Sequence, residues 1–111
     1  MKDSVNVSKK DIFNAKSSSR SVKEVLCTEL TVTGCFVQEN EGIRKGTNDP
    51  CDIGYICTDA GVVGFSSETC LKAMDAFADY LTDALNDGEE VKIMFKENEG
   101  KNGNFYTFDI V

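Results

Sequence analysis

The sequence predicts a mainly β domain of the α+β class, in which five strands curl into a small barrel and one amphipathic helix covers its end. Three observations carry this prediction. Short segments of alternating apolar and polar residues recur along the chain, separated by turn residues. Between the third and fourth of these segments, the apolar residues take a helical repeat instead. A glycine inside the first strand favours the bulge or bend that a curled sheet requires.

Length and composition limit the class of protein. A chain of 111 residues is one domain that can bury a modest core without a metal or disulfide. No apolar run approaches the roughly 18 residues that cross a bilayer. The first twenty residues lack the apolar block of a secretory signal. The sequence therefore predicts a cytoplasmic protein without membrane contact.

Charge is distributed unevenly along the chain, whose net charge is −7. Residues 1–23 carry six basic and two acidic side chains, whereas the other 88 residues carry six basic and seventeen acidic ones. The serine-rich stretch "AKSSSRS" has no hydrophobic period. We therefore expect a basic, flexible N-terminal arm over residues 1–23 and a single acidic domain over residues 24–111. Within the arm, "SKKDIFNAK" favours a short helix that begins at Ser8.

The first strand is predicted in "ELTVTGCFVQ", residues 29–38. Simple alternation places three side chains on one face (Leu30, Val32 and Phe36) and four on the other (Thr31, Thr33, Cys35 and Val37), with a bulge or bend at Gly34. A long exposed loop, Glu39 to Cys51, is expected to follow, because it contains two glycines and an Asn-Asp-Pro turn signal.

Two hairpins supply the remaining strands. Residues 53–58 and 62–65 flank a turn at Asp59 to Gly61. The segments "EEVKIMFKEN" and "NFYTFDIV" flank a loop from Glu97 to Gly103. In this second hairpin, alternation predicts an inward-facing set: Val91, Ile93, Phe95, Tyr106, Phe108 and Ile110. The terminal strand is expected to close the barrel.

The helix is predicted between Ser67, a suitable N-cap, and Gly88, a suitable residue to end it. One apolar stripe continues for four turns: Cys70, Leu71, Met74, Phe77, Ala78, Leu81, Ala84 and Leu85. The opposite face carries Asp75, Asp79, Asp83 and Asp87, spaced four residues apart. These aspartates are either a solvated face or an acidic ridge that meets a basic partner and imitates a phosphate backbone.

Five strands with a helix between the third and fourth follow the element order of the OB-fold. A split α+β sheet with one covering helix has the same order. OB-folds bind ligands across the second and third strands, between the loop joining strands one and two and the loop joining strands four and five. The cations and rings suited to phosphates and bases are Arg44, Lys45, Tyr55, Phe65, Lys92, Lys96, Lys101, Asn102 and Phe105. Core aromatics and a solvated strand face are the alternative explanations.

Catalytic and metal chemistry are not indicated. The chain has five cysteines, no Cys-x-x-Cys pair and no histidine, so neither a zinc site nor the commonest general base is present. We expect the cysteines to behave as buried thiols. The sequence thus predicts a protein that is not an enzyme and that uses no cofactor.

Several segments together resemble small single-stranded DNA-binding proteins of tailed bacteriophages. They are "DIFNAK", "SVKEVLCTELTVTG", "TDAG", "FSSETCLKAMDAFADYL" and the terminal "KNGNFYTFDIV", spread over residues 11–111. The resemblance implies sequence-independent coating of single-stranded DNA during phage or mobile-element replication or recombination in a bacterial host cell. It implies contacts by Lys101, Asn102, Gly103 and Phe105. The sequence departs from the pattern at Asn104, where a cation would serve phosphate binding better.

The acidic body favours an alternative function. The ridge of Asp75, Asp79, Asp83 and Asp87 would occupy a basic channel of a host nucleic-acid enzyme or defence complex, as a phage-like inhibitor. The expected partners are thus single-stranded DNA and replication or recombination proteins, or in the alternative a host protein. An exposed edge strand would also permit a homodimer.

Overall fold

The computed structural model describes residues 1–43, 46–101 and 103–111. Within these residues the chain forms one mainly β domain with seven strands and two α-helices. The strands are β1 (Lys2–Val5), β2 (Arg20–Ser21), β3 (Glu29–Ile43), β4 (Pro50–Thr58), β5 (Gly61–Phe65), β6 (Val91–Gly100) and β7 (Gly103–Ile110). The helices are α1 (Lys9–Ser18) and α2 (Glu68–Asn86), and a short 3-10 turn covers Val22–Val25.

The strands form one sheet in the spatial order β2-β5-β4-β3-β6-β7. β2 runs parallel to β5, and the other neighbours are antiparallel. β6 pairs with Glu29 to Val32 of β3, and β1 pairs farther along β3, with Cys35 and Val37. The sheet curls into an open half-barrel.

Two helices lie on opposite faces of this sheet. α2 packs on the face that we call inner, where it shares the main core with strand residues such as Leu30, Ile56 and Phe95. α1 packs on the outer face, where Ala15 joins a smaller cluster with Phe36 and Tyr55. The molecule therefore has three layers, with the curled sheet in the middle.

The predicted start and end of α2 and the predicted start of α1 are confirmed. Ser67 is the N-cap of α2, and Gly88 follows the C-cap with φ of +74°, a conformation that favours glycine. The Ser67 hydroxyl does not cap the helix but donates to the Tyr106 carbonyl oxygen over 3.4 Å. Ser8 caps α1, and its hydroxyl and backbone N–H exchange hydrogen bonds with Asp11.

The bulge in the first predicted strand is confirmed, but the faces assigned beyond it are wrong. The pairing of β3 with β4 shifts between Val32 and Gly34, so an extra residue enters β3 there. The extra residue reverses the alternation. Cys35 and Val37 therefore join Leu30 and Val32 in the main core, whereas Phe36 lies on the outer face. A Cβ at Gly34 would lie 2.7 Å from the Val5 carbonyl oxygen, where β1 approaches.

The two predicted loops are much shorter in the structure, because the strands continue into them as paired ribbons. β3 runs to Ile43 and β4 begins at Pro50, so both strands extend into the stretch predicted as a loop from Glu39 to Cys51. β6 and β7 pair as far as Gly100 and Gly103, so they extend into the stretch predicted as a loop from Glu97 to Gly103. Backbone hydrogen bonds between strands do not depend on apolar side chains, so polar residues extend both ribbons.

The barrel is not closed by the terminal strand, contrary to the prediction. β7 pairs with β6 alone among the described strands and lies at one end of the sheet. The other edge of β5 is taken by β2, from the N-terminal region. Ile110, predicted inward, is 45% exposed. With seven strands, the long helix lies between the fifth and sixth strands of the chain rather than between the third and fourth of five.

The region predicted as a flexible arm, residues 1–23, packs onto the domain. β1 and β2 pair with the sheet, and Ala15 of α1 is fully buried. Among the described residues, no helix is long and apolar enough to cross a membrane.

Candidate nucleic-acid interface

The end of the β6–β7 ribbon brings together three of the residues predicted to bind nucleic acid. Lys96 and Phe105 share the outer face of the ribbon and are diagonal neighbours, because Asn98 pairs with Phe105 and Lys96 with Thr107. The Phe105 ring is 38% exposed and lies beside Gly100. Lys101 is exposed in the turn that follows. This end of the ribbon therefore presents an aromatic ring between two cations.

Ion pairs engage both lysines of β6. The Lys92 ammonium lies 3.3 Å from the Glu29 carboxylate, and the Lys96 ammonium lies 2.6 Å from Asp109. A hydrogen bond to the carboxylate raises the pKa of each lysine. A phosphate would have to compete with these carboxylates for both cations.

Tyr55 and Phe65 are buried rather than presented to solvent, each with 6% of its surface exposed. Phe65 lies on the inner face, with its ring centroid 6.0 Å from that of Phe95. Tyr55 lies on the outer face beneath α1. The structure does not place either ring with Phe105. Arg44, Lys45 and Asn102, also predicted as contacts, lie outside the described residues.

Phe36 was not among the residues that the sequence predicted for the site. Phe36 stacks on Tyr55 across β3 and β4, with ring centroids 4.9 Å apart and planes 22° apart. Simple alternation assigned Phe36 to the same face as Leu30. The glycine at position 34 was the available signal, because a bulge there moves Phe36 to the outer face.

A small cavity of about 330 Å³ lies at the open seam of the half-barrel, where β2 and β5 face β7. Its lining combines apolar side chains, serines and one cation: Ser21, Val22, Lys23, Gly64, Phe65, Ser66, Ser67 and Tyr106. Lys23 belongs to the basic N-terminal region and was not predicted as a site residue. Sequence pattern gave no signal for it, because the seam forms from segments far apart in the chain.

The acidic ridge of α2 is solvent-exposed along its length: Asp75, Asp79, Asp83 and Asp87. β1 packs near it and adds a fifth carboxylate, Asp3. Burial raises the pKa of Asp3 to about 6, and a hydrogen bond to Asp75 and the charges of Asp75 and Asp79 act in the same direction. In its ionised form, the buried oxygen Oδ2 of Asp3 has no hydrogen-bond partner among the described residues. A proton on Asp3 supplies the donor for its bond to Asp75.

The cysteines are free thiols with different surroundings. Three are buried (Cys35, Cys57 and Cys70), whereas Cys51 is half-buried and Cys27 is exposed. Burial raises the pKa to about 12 for Cys35 and to about 11 for Cys57 and Cys70. Thiolates are the reactive form, so these three buried thiols are poor nucleophiles near neutral pH. Within the described ranges, no cluster of three or more cysteine or acidic side chains is arranged to hold a metal ion.

Comparison with protein-family models, with curated proteins and with solved structures finds no match to this chain.

Proposed function

We propose that the protein is a non-enzymatic, sequence-independent single-stranded DNA-binding protein that acts in phage or mobile-element replication or recombination. The spatial order of the sheet is the observation that carries this proposal. β4 and β6 flank β3, β5 follows β4, β7 follows β6, and α2 connects β5 to β6. The five OB-fold strands have the same neighbours. This sheet adds β1 and β2, and its long helix lies between the fifth and sixth strands of the chain. The shared neighbours support an OB-like interpretation of the half-barrel, with its seam between β5 and β7 open.

The proposed contact surface begins at the outer end of the β6–β7 ribbon. Phe105 offers a ring on which a base stacks, and Lys101 and Lys96 lie on either side of it for phosphates. The ribbon corresponds to the loop between the fourth and fifth strands, one of the two that border the OB-fold ligand site. Further cations are exposed in the N-terminal region: Lys9, Lys10, Arg20 and Lys23.

The acidic body limits the affinity that this surface provides. DNA affinity depends largely on the counterions that lysine and arginine release from phosphates, and here the net charge is −7. Lys92 and Lys96 must also exchange a carboxylate for a phosphate. We therefore expect micromolar or weaker binding that falls steeply with salt.

Fluorescence anisotropy of a labelled oligothymidine, measured at low and moderate salt, tests this function. We expect Phe105→Ala to weaken binding at least about fivefold, the least that one stacked base contributes, and Lys101→Ala to weaken binding through the loss of a phosphate contact. The salt slope of Lys101→Ala should fall by about 0.7, as one phosphate contact is lost. Tyr80→Ala, which removes an exposed ring from α2, is the control and should bind normally. Absence of binding at low salt contradicts the proposal.

The acidic ridge of α2 favours a second candidate function, an inhibitor that occupies a basic nucleic-acid channel of a host enzyme or defence complex. The specific observation is that all four aspartates are exposed and that β1 adds Asp3 beside them. Aspartates four residues apart are about 6 Å apart along the helix, which is similar to the spacing of phosphates along a strand.

Capture of host proteins on the immobilised chain tests this second function. The triple change of Asp75, Asp79 and Asp83 to Asn should abolish capture of a basic nucleic-acid-binding protein. A control with the same loss of charge changes Glu89, Glu97 and Glu99 to Gln, which are exposed carboxylates that do not belong to the ridge. Equal loss of capture by both triple variants would indicate a general effect of charge and would exclude the ridge as the contact.

A further inference from the structure

The outer face of the sheet carries an aromatic surface that the proposed contact with DNA does not use. Phe36 and Tyr55 are directly paired on β3 and β4, and their rings stack. The next residue across, on β5, is Gly64. A Cβ at Gly64 would lie 3.1 Å from the Tyr55 ring, so the missing side chain leaves room for that ring. Phe36, Tyr55 and Gly64 thus lie side by side on three adjacent strands of the OB-like sheet, and the two rings stack on each other.

This aromatic surface is covered by the N-terminal segment, which we define as residues 1–19. Ala15 of α1 lies on the two rings and is fully buried, with Ile12 and Val7 beside it. Phe13, the largest apolar side chain of the same helix, is 72% exposed. Ala15 is therefore the one fully buried side chain that α1 contributes to this contact. An isolated helix of ten residues is also marginal in water, so α1 depends on this contact.

The pairing of β1 with β3 and three ion pairs also attach the segment. All three carboxylates lie on the β3–β4 ribbon. The pairs are the Met1 amine with Glu39 at 3.6 Å, Lys2 with Asp52 at 3.7 Å, and Lys16 with Glu41 at 3.4 Å. Every partner is at least 32% exposed, so each pair contributes little stability and is weakened by salt. The ribbon carboxylates hold the cations in the manner in which phosphates would.

We propose that Phe36 and Tyr55 form a second stacking site for the bases of single-stranded DNA, which the N-terminal segment covers until phosphates replace the ribbon carboxylates as partners of its cations. This inference rests on the proposed DNA binding. Phosphate and carboxylate oxygens compete for the same ammonium groups, so a polyanion lowers the cost of releasing the segment. Release then exposes Phe36 on the first strand of the OB-like order and Tyr55 on the second, and OB-folds bind their ligands across the second and third strands.

Hydrogen exchange of the full-length protein, with and without unlabelled oligothymidine, tests the release. In the free protein we expect the amides of α1 to exchange faster than those of α2, because the segment opens without unfolding the core. Bound DNA should speed exchange in α1 further and slow it in the β6–β7 ribbon. Slowing in the ribbon without faster exchange in α1 overturns the inference and leaves the proposed function standing. Absence of any bound oligonucleotide refutes the proposed function, and this inference with it.

The stacking role is tested separately by Tyr55→Leu, which removes the ring but keeps an apolar side chain in the cluster. We expect oligothymidine affinity to fall roughly fivefold or more. The matched control is Tyr80→Leu, at an exposed tyrosine on α2, which should bind normally. One result would overturn the covered site: Tyr55→Leu folds and binds oligothymidine normally, while Phe105→Ala has lost affinity. The DNA would then contact the ribbon alone.

The role of the ion pairs is tested by Glu41→Gln, which removes the partner of Lys16. Exchange in α1 should become several-fold faster, and oligothymidine should bind more tightly. Glu89→Gln makes the same change of charge at an exposed site between α2 and β6 and should leave exchange in α1 unchanged. Equal effects of the two variants would show that net charge, and not release of the segment, controls affinity.

Discussion

Two glycines leave space for aromatic rings of the neighbouring strands in this sheet. Gly54 faces Phe65 on the inner side of the β4–β5 pair, and Gly64 faces Tyr55 on the outer side. Both glycines are directly opposite the ring that lies over them. Either glycine could be taken for a weak point of a strand in the sequence. Only the pairing register reveals that each one makes space for a particular ring.

We predict that Gly54→Ala destabilises the protein by at least about 2 kcal/mol, because overpacking forces a buried ring and its backbone to shift. A Cβ at this position would lie 2.4 Å from the Phe65 ring. The measurement is the free energy of unfolding by urea. Gly46→Ala is the control, since φ there is +81° and a Cβ would have no atom of the other described residues within 4 Å. It should lose only the conformational part, about 1 kcal/mol. Equal losses at both positions would contradict the steric argument.

Contact between elements places an acidic side chain where it is hard to ionise. β1 packs near α2, and Asp3 of β1 has φ of +52° with its carboxylate towards Asp75 and Asp79. Lys2 acts in the opposite direction, since its charge favours the ionised form. The Cys35 thiol also contacts the Asp3 carbonyl oxygen, at 3.5 Å. Nothing in the spacing of the sequence brings Asp3 to the acidic ridge.

The raised pKa of Asp3 predicts that stability falls as pH rises from 3.8 to about 6. In that window the folded protein keeps a proton that the unfolded chain has lost, so the slope of unfolding free energy against pH is negative. Above this window the loss is complete. Asp3→Asn should therefore be more stable than the natural protein at pH 7.5, by about 1 kcal/mol or more. The amide also tolerates the positive φ.

Thermal unfolding measured by circular dichroism at pH 4 and pH 7.5 checks this expectation. The gain from Asp3→Asn should shrink at pH 4, where Asp3 is protonated in the folded protein. The control is Asp83→Asn. It removes a charge from α2, the helix of Asp75 and Asp79, at a residue that does not shift the pKa of Asp3. A gain for Asp3→Asn that is the same at both pH values would argue against the protonation of Asp3.

Strands and helices differ in how well local pattern predicted them. The stripe and caps of α2 are properties of one continuous segment, so the helix was predicted within a residue at each end. The alternation in β3 failed at Gly34, because one extra residue exchanges the two faces for all that follow. The predicted ends of the ribbon strands also failed. Backbone pairing continues β3–β4 and β6–β7 into polar stretches that have no apolar alternation.

At the scale of the whole molecule, the open seam is bridged by side chains rather than by strand pairing. Phe108 of β7 lies among three rings, with centroid distances of 5.2 Å to Phe77, 5.5 Å to Phe95 and 6.4 Å to Phe65. Phe65 belongs to β5, on the far side of the seam. Phe108 thus connects both edges of the half-barrel with α2, although β5 and β7 are not paired.

We predict that Phe108→Ala lowers the free energy of unfolding by about 3 kcal/mol, because it leaves a cavity where four rings meet. Phe105→Ala, on the outer face of the same strand, should change stability by less than about 1 kcal/mol. Urea unfolding of the two variants makes the comparison within one strand. If Phe105→Ala were the more destabilising change, the inner and outer faces of β7 would be reversed.

As for the fold, the sequence predicted some features of the candidate site and not others. The proximity of Lys101 and Phe105 followed from the sequence, because both were predicted at the junction of one hairpin. The burial of Tyr55 and Phe65 did not, because alternation does not tell which face a helix covers. The ion pairs of Lys92 and Lys96 could not be predicted either, since Glu29 and Asp109 come from other strands.

The sequence by itself determined the five main strands, the long helix with its caps, and the contrast between a basic N-terminal region and an acidic body. These features depend on the spacing of residues within short segments, which can be read from the sequence without knowledge of the fold. Only the tertiary structure decided that the half-barrel stays open, that the N-terminal segment covers Phe36 and Tyr55, and that ion pairs hold most of its cations. Those outcomes depend on contacts between residues that are distant in the chain. Such contacts determine which side chains are buried and which charges form pairs.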